Sequence, residues 1–263
     1  MKTNFHTHCK RCLHAQGTEE DYVQAAIAAG LDQLGFSDHA PFPDADYGLR
    51  MPYTELTEYL HEITHMQEKY RSEIVLWKGL EIEYLPEAYS YYEDLLTNRG
   101  MDYLLMGEHF YRHDNGRMQN ITQAENTDEY VIYAHNIAKG LKTGFFNAVV
   151  HPDIFMITQH AWDINCDRAT DIILNAAIMH DTVLEYNANG YRRGITDYPD
   201  GSRYQYPHHK FWEQAAKAKV RVMVGSDCHN PSQVWDSAMD QAYQDLSGYG
   251  ITPITDLLNQ TAS

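Results

Sequence analysis

The sequence has few cysteines and no long hydrophobic run. Four cysteines in a chain of 263 residues are too few for a disulfide scaffold, so we expect reduced thiols and a cytoplasmic protein. No apolar run approaches the roughly 18 residues needed to span a bilayer. Residues 1–6 also lack the apolar stretch of a signal peptide. These absences argue against a membrane protein and against a disulfide-rich secreted protein.

Basic residues are also scarce. The chain has 20 Lys and Arg against 37 Asp and Glu, which gives a net charge of −17. Nucleic acids and anionic membranes bind to basic surfaces, so we expect neither as a partner. A composition of 43% hydrophobic and 22% charged residues is typical of a soluble globular protein with a sizeable core. Nothing in the sequence indicates an oligomeric state.

The chain is predicted to form one continuous domain, residues 1–263, without internal repeats or Gly/Ser linkers. Short apolar runs predict seven strands, at residues 2–5, 33–36, 74–80, 103–106, 148–150, 183–186 and 221–225. Longer periodic stretches predict helices at residues 18–29, 54–70, 87–98, 127–143, 168–180, 208–219 and 232–245. This alternation implies an α/β fold with a parallel sheet, and seven units favour a closed, TIM-like barrel over an open doubly wound sheet.

Histidine is abundant, with 15 residues in the chain, and many of them follow predicted strands. In parallel α/β folds, the C-terminal ends of the strands share one face, and that face carries the chemistry. Nine residues of metal-ligand type lie at or just after six of the seven strand ends: His6, His8, His14, His39, Glu81, His109, His151, Asp227 and His229. We therefore expect these side chains to converge in one small region.

Metal binding is the chemistry that such a cluster indicates. Imidazoles with a few carboxylates suit zinc, manganese or iron, whereas calcium and magnesium sites are nearly all oxygen. His6 and His8 point to the same side of an extended chain, so they can share one ion. Seven imidazoles and two carboxylates exceed the needs of one four-coordinate ion, so we infer two or three divalent ions. A carboxylate such as Glu81 can bridge two of them.

Six motifs occur in order along the chain: His6-x-His8 with His14, Ser37-Asp38-His39, Gly79-Leu80-Glu81, His109, His151-Pro152-Asp153 and Ser226-Asp227-Cys228-His229. Taken together, and in this order, they resemble the polymerase and histidinol phosphatase (PHP) superfamily. Within that superfamily the resemblance is closest to the stand-alone histidinol-phosphate phosphatases, because the length matches and no polymerase domain is attached.

The resemblance implies a distorted seven-stranded TIM-like barrel that carries a trinuclear metal site. It also implies a metal-dependent phosphatase that acts on L-histidinol phosphate, a small phosphorylated substrate, in histidine biosynthesis. Three ligand sets are implied, with Glu81 shared by two of them: a first set of His6, His8, Glu81 and Asp227, a second set of Glu81, His109 and His151, and a third set of His14, His39 and His229.

The expected mechanism is attack on phosphorus by a hydroxide held between the ions, with Glu81 and Asp227 acting through it. Asp153 is a candidate to orient a ligand or to donate a proton, although a loop-capping carboxylate is the simpler interpretation. Arg192 and Arg193 follow the sixth predicted strand and are candidates to bind the phosphate through paired hydrogen bonds. The alternative is a pair of solvated loop arginines.

A second metal motif, His61-Glu62-Ile63-Thr64-His65, matches the His-Glu-x-x-His pattern of zinc metalloproteases. The apolar residues of this predicted helix gather on one face: Leu56, Tyr59, Leu60, Ile63, Met66 and Tyr70. His61 and His65 fall on the opposite face, so we predict that they are exposed and not catalytic.

Two other functions remain open beside histidinol phosphatase and the protease. One is another phosphoesterase of the PHP type, acting on nucleotides, oligonucleotide ends or phosphotyrosine, although the charge of −17 weakens the nucleic-acid version. The other is a metal-binding module without catalytic activity, which would bind metal and hydrolyse no monoester.

Overall fold

Residues 1–258 are described by the structure, a computed structural model, and eleven strands lie within them. In chain order these are β1 Thr3–Asn4, β2 Gln33–Phe36, β3 Val75–Ile82, β4 Tyr103–Met106, β5 Phe110–Arg112, β6 Met118–Asn120, β7 Ala148–Val149, β8 Val183–Asn187, β9 Ile195–Tyr198, β10 Gly201–Tyr204 and β11 Val222–Gly225. One seven-stranded sheet has the order β1-β2-β3-β4-β7-β8-β11, with parallel pairing throughout. These are the seven strands that the sequence predicts.

The two edges of this sheet come together just beyond its first and last strands, which nearly closes it into a barrel. Just beyond β1 and β11, Thr7 and Cys228 form a parallel bridge. In it the His8 N–H donates to the Cys228 carbonyl at 3.0 Å. The Ser226 N–H donates to the Asn4 side chain, also at 3.0 Å. Because this closure is short, the barrel is distorted, as predicted for a (β/α)7 TIM-like fold.

Eight α-helices lie within residues 1–258: α1 Glu19–Ala28, α2 Leu56–Lys69, α3 Tyr89–Thr97, α4 Asp128–Leu141, α5 Ile164–Met179, α6 Asn189–Arg192, α7 His209–Ala218 and α8 Ser237–Gly248. All seven predicted helices are present, and α6 is an additional short turn. The start of α5 at Ile164 precedes the predicted one at 168, because the Asp163 carboxylate accepts from the Asn165 and Cys166 N–H groups. Asp236 caps α8 in the same way, so this helix starts at Ser237, after the predicted 232.

A buried cluster fills the barrel below the strand ends. Its members come from several strands or lie directly beyond them, and they include Phe5, Tyr103, Leu105, Val183 and Met223. The Tyr103 hydroxyl lies 2.8 Å from the Phe5 carbonyl and 2.7 Å from the Phe36 carbonyl, so this side chain reaches across the interior. The packed interior provides a rigid floor for the side chains at the C-terminal ends of the strands.

Two antiparallel hairpins beyond the strand ends were not predicted. β5 pairs with β6 after β4, and β9 pairs with β10 after β8. Their strands have only three or four residues, too few to establish a period of two in the sequence. No helix within residues 1–258 is long and apolar enough to cross a membrane. The four cysteines are buried and form no disulfide.

Candidate metal centre

All nine predicted ligand residues lie at the C-terminal end of the barrel. Glu81 is in β3, and the others follow strands β1, β2, β4, β7 and β11 or belong to the loop before α1. Side-chain donor atoms from these residues form several groups, within each of which the atoms lie no more than 4.8 Å apart. The nine side chains therefore converge in one region, as the positions of the strand ends predict, and their role as metal ligands stays a prediction.

The first ligand set brings four donor atoms to one point. The Nε2 atoms of His6 and His8 are 3.0 Å apart. Glu81 Oε2 lies 3.4 Å from His6 Nε2 and 3.3 Å from His8 Nε2. Asp227 Oδ1 lies 3.6 Å and 3.3 Å from the same two nitrogens. Donors placed tetrahedrally about 2.1 Å from an ion are separated by about 3.4 Å. The imidazole–imidazole and imidazole–carboxylate distances of this set are therefore close to those of a four-coordinate metal site.

The second ligand set lies against the other oxygen of Glu81. Glu81 Oε1 is 2.8 Å from His151 Nε2 and 3.4 Å from His109 Nε2. The two oxygens of this carboxylate thus face two different groups of imidazoles, which is the geometry of a bridging ligand. A side chain at Gly107 would collide with Glu81, because an added Cβ would lie 2.1 Å from Oε1. Gly107 therefore leaves space for the Glu81 carboxylate.

The third ligand set is nearest to solvent. His14 Nε2 and His229 Nε2 are 2.9 Å apart, and His39 completes the group. His14 is exposed, and His39 and His229 are partly buried, whereas His6 and His8 are fully buried. His39 also lies close to the first set, because its Nδ1 is 2.9 Å from Glu81 Oε2. The three sets therefore form one continuous cluster that extends from the barrel interior to the surface.

The charges in this cluster favour cation binding. Burial alone would raise the pKa values of Glu81 and Asp227, but the neighbouring histidines hold both well below their usual range. Burial lowers the pKa of His39 to about 4 and also lowers the pKa of His8 and of His229. At neutral pH the carboxylates are therefore ionised and these imidazoles are neutral, which are the protonation states that bind a metal.

Two buried carboxylates that contact the ligands were missed by the sequence analysis. Glu185 in β8 lies 2.7 Å from His6 Nδ1. Glu83, just beyond β3, lies 3.3 Å from His109 Nδ1 and forms a paired hydrogen bond with Arg50, both distances being 3.0 Å. One signal was available, since a charged residue within the apolar run 183–186 is unusual for a buried strand.

A cavity of about 550 Å³ opens above the three ligand sets. Seven of the nine predicted ligands line it, and His6 and His8 lie beneath its floor. Tyr47 and Phe110 line another part of it, and their ring centroids are 5.4 Å apart. The cavity also includes Asn189, Arg193 and Tyr206. It thus combines a polar, metal-ligand floor with an aromatic wall.

The structure separates the two candidate arginines. Arg193 lines the cavity, and its Nε donates to the Tyr206 hydroxyl at 3.1 Å. Arg192 does not line it, because its guanidinium donates to the Asp236 carboxylate at 2.8 and 2.9 Å and to Ser226 at 2.5 and 2.9 Å. Of the two predicted phosphate contacts, only Arg193 is placed where a substrate could reach it.

Asp153 is buried beside α7 and is not among the cavity residues. One of its oxygens accepts from the His208 N–H at 2.7 Å and from Trp212 Nε1 at 3.0 Å. Burial raises the pKa of Asp153 to about 6. These contacts match the loop-capping interpretation, since His208 is the residue directly before α7.

The His-Glu-x-x-His motif lies on the outer face of α2. The His61 side chain is 80% exposed and His65 is also exposed, whereas Tyr59, Ile63 and Met66 are buried. Neither histidine lines the cavity. The structure therefore places them as predicted, away from the cluster, and gives no support to a protease site.

Known proteins share both the sequence pattern and the fold. Residues 4–189 match the model of the family described as PHP domain. A protein of Deinococcus radiodurans named "Probable histidinol-phosphatase" is 27% identical over 260 residues, which cover 94% of each chain. The "Histidinol-phosphatase" of Bacillus subtilis is 21% identical, with 89% of this chain and 96% of that protein covered.

A solved structure extends the comparison. Histidinol phosphate phosphatase from Lactococcus lactis, in complex with zinc, L-histidinol and phosphate, superposes with a TM-score of 0.71 at 18% identity. The match covers 96% of this chain and 95% of that one, so the two proteins share their fold over nearly their whole length. The family model covers more than half of the chain, and the chain belongs to the PHP domain family.

Proposed function

We propose that this protein is a metal-dependent phosphomonoesterase that hydrolyses L-histidinol phosphate to L-histidinol and phosphate. The observation that carries the proposal is the convergence of His6, His8, Glu81 and Asp227, in which each carboxylate has an oxygen 3.3 to 3.6 Å from two imidazole Nε2 atoms that are 3.0 Å apart. A related protein of the same fold binds zinc, L-histidinol and phosphate. Relatives that cover nearly the whole chain carry the histidinol-phosphatase name.

The three ligand sets would hold two or three divalent ions, zinc, manganese or iron, with Glu81 shared between the first two. The side chains fit such ions, because the donors are imidazoles and carboxylates. In addition, buried Glu81 Oε2 forms no hydrogen bond although three imidazole nitrogens lie 2.9 to 3.4 Å from it. When bound, the ions would lower the pKa of water and offset the negative charge of the phosphoryl oxygens.

The cavity would accept the two halves of the substrate at different places. Arg193 can donate two parallel hydrogen bonds to the phosphate, which would lie over the ligand sets. The imidazole of the leaving group can pack against Tyr47 and Phe110. Both features favour a small aromatic phosphate ester that approaches from the open end of the barrel.

The test is phosphate release from L-histidinol phosphate, measured against nucleotides and phosphotyrosine, with metal-loaded and with chelated protein. We expect rapid, metal-dependent release from L-histidinol phosphate and little from the other esters. Glu81→Ala and Asp227→Ala should each reduce the rate by roughly 100-fold or more, because each removes a charged donor from the site. His61→Ala is the matched control and should retain full activity, since His61 is exposed on α2.

Each alternative outcome identifies a different function. Metal-dependent release of phosphate from nucleotides or phosphotyrosine alone would support the metal centre but indicate a different substrate. Metal binding without release from any ester would indicate the binding module. Near-normal activity of Glu81→Ala or Asp227→Ala would contradict the metal centre itself, whereas loss of activity in His61→Ala would point to the motif on α2.

A further inference from the structure

We propose that Glu185 and Asn187 of β8 orient the side chains of the metal centre, with Glu185 as the central residue. These two residues are called the positioning layer. This inference rests on the proposed function, because it concerns the residues that would bind the ions. Six strand ends of the barrel carry the nine ligand residues, and the end of β8 carries none of them. Instead, β8 places Glu185 and Asn187 directly behind ligands that belong to three other strands.

Glu185 determines which nitrogen of His6 is free to bind a metal. Its side chain is fully buried, and its Oε1 lies 2.7 Å from His6 Nδ1. When the carboxylate oxygen is the acceptor in this contact, Nδ1 carries the proton. The lone pair of neutral His6 is then on Nε2, the atom that faces His8 and Glu81.

The other oxygen of Glu185 reaches a ligand of the second set. Its Oε2 accepts the backbone N–H of His151 at 3.0 Å. His151 has a φ of 34°, in the left-handed region that is unfavourable for a residue with a side chain. The hydrogen bond therefore stabilises the backbone conformation from which the imidazole of His151 reaches Glu81. One carboxylate thus contacts a ligand from each of two sets.

Asn187 extends the layer to Asp227. Its side-chain amide donates to Glu185 Oε2 at 2.8 Å and to Asp227 Oδ2 at 3.3 Å. Asp227 is also in the left-handed region, with a φ of 48°. The Asn189 side-chain amide also donates to Oδ2, at 3.1 Å, so Oδ1 is the oxygen that faces His6 and His8. Asn187 therefore orients the carboxylate of the first set together with Asn189.

The neighbouring strand leaves space for this arrangement. Gly225 in β11 lies beside Glu185, and a Cβ added there would be 1.6 Å from Glu185 Oε1. Every other residue type would displace the carboxylate from His6. The Glu185 carboxylate is therefore fixed on one side by its contacts with His6 and His151, and on the other side Gly225 leaves space for it.

Glu185→Gln is the informative variant because it preserves shape and removes one acceptor. The Gln amide has one oxygen and one NH2 group, so it cannot accept from both His6 and His151. If the NH2 faces His6, Nδ1 must accept and the proton moves to Nε2, where it blocks metal binding. If the NH2 faces His151, two donors oppose each other. Either orientation should weaken metal binding.

The experiment is a calorimetric titration of chelator-stripped protein with Zn²⁺ and with Mn²⁺. We expect the dissociation constant of at least one ion to rise about 10- to 100-fold in Glu185→Gln. Excess metal should restore activity, which distinguishes weakened metal binding from loss of the fold. The control is Glu129→Gln, a buried carboxylate that contacts Tyr111 and no ligand residue.

Equal metal affinity in wild type and Glu185→Gln would overturn this inference and leave the proposed function intact. Absence of metal binding by the wild type would overturn both. A second measurement needs no variant: imidazole nitrogen NMR of the zinc-loaded wild type should show the His6 proton on Nδ1. A proton on Nε2 would overturn the positioning role even if the Gln variant failed to fold.

Discussion

The Nε2 atoms of His6 and His8 lie 3.0 Å apart, yet the pKa values of the two imidazoles are shifted in opposite directions. Burial favours the neutral form of both. At His6 the carboxylates of Glu185, Asp227 and Glu81 outweigh burial, so its pKa is raised well above the usual value. At His8, His229 and His39 add to the effect of burial, so the pKa of His8 is lowered well below the usual value. In the metal-free protein, His6 is therefore protonated at neutral pH and His8 is not.

Metal binding is accordingly predicted to release a proton from His6. A divalent ion and a proton compete for the same Nε2, so the metal affinity should fall as the pH falls below the raised pKa of His6. For one proton the dissociation constant should rise about tenfold per pH unit. Calorimetry in two buffers of different ionisation enthalpy counts the protons directly, and a heat that is independent of the buffer would contradict the prediction.

The exposure of His14 predicts a graded loss of metal. His14→Ala removes a ligand from the third set but leaves the buried donors of the first set in place. We therefore expect one ion fewer per chain in elemental analysis after gel filtration, with the remaining ions unchanged. His61→Ala, which also removes an exposed histidine, should keep the wild-type content. Loss of every ion in His14→Ala would show that the sets are not separable.

Substitutions of the two adjacent arginines are predicted to affect different properties of the protein. Arg193→Ala removes a cavity residue, and a lost hydrogen bond to a charged group costs about 1.5–3 kcal/mol, so KM should rise roughly 10- to 100-fold. Arg192→Ala breaks the contacts to Asp236 and Ser226, so it should lower the thermal midpoint by several degrees while KM changes little. Steady-state kinetics and thermal unfolding of both variants test the assignment, which a larger KM effect in Arg192→Ala would reverse.

The convergence of the nine candidate ligands could be predicted from the sequence, because parallel strands bring their C-terminal ends together wherever each strand starts. The locations of Glu81 and His151 could be predicted from the positions of their strands alone. The roles of Arg192 and Arg193 could not be predicted, because the direction of each side chain depends on a distant partner. Arg192 is held by Asp236, which caps α8, and that contact appears only when the barrel closes.

Glu185 was missed for a related reason. It lies within the predicted strand and not at its end, so its partners depend on register. The pairing of β8 with β11 places Met223 opposite Glu185 and Gly225 opposite Asn187. The β5–β6 hairpin, which supplies Phe110 and Asn120 to the cavity, likewise has too few residues for a periodic signal.

His208 provides a test of the fold that does not depend on the metal centre. It directly precedes α7, is buried, and stacks on Trp162 with ring centroids 4.6 Å apart. Neither ring nitrogen has a hydrogen-bond partner. Burial, reinforced by Arg203 and His209, lowers the pKa of His208 to about 3. An ordinary histidine in the unfolded chain has a pKa of about 6.5.

Between these two pKa values the unfolded chain takes up a proton that the folded protein excludes, so stability should fall as the pH falls. At pH 5 the difference is about 2 kcal/mol in the free energy of unfolding. His208→Phe keeps a stacking ring and cannot titrate, so this variant should lose about 2 kcal/mol less than wild type between pH 7 and pH 5. Denaturant unfolding of metal-free protein measures the difference. His209→Phe, at the exposed neighbour, should keep the wild-type pH dependence, and equal slopes in the two variants would refute a titrating role for His208.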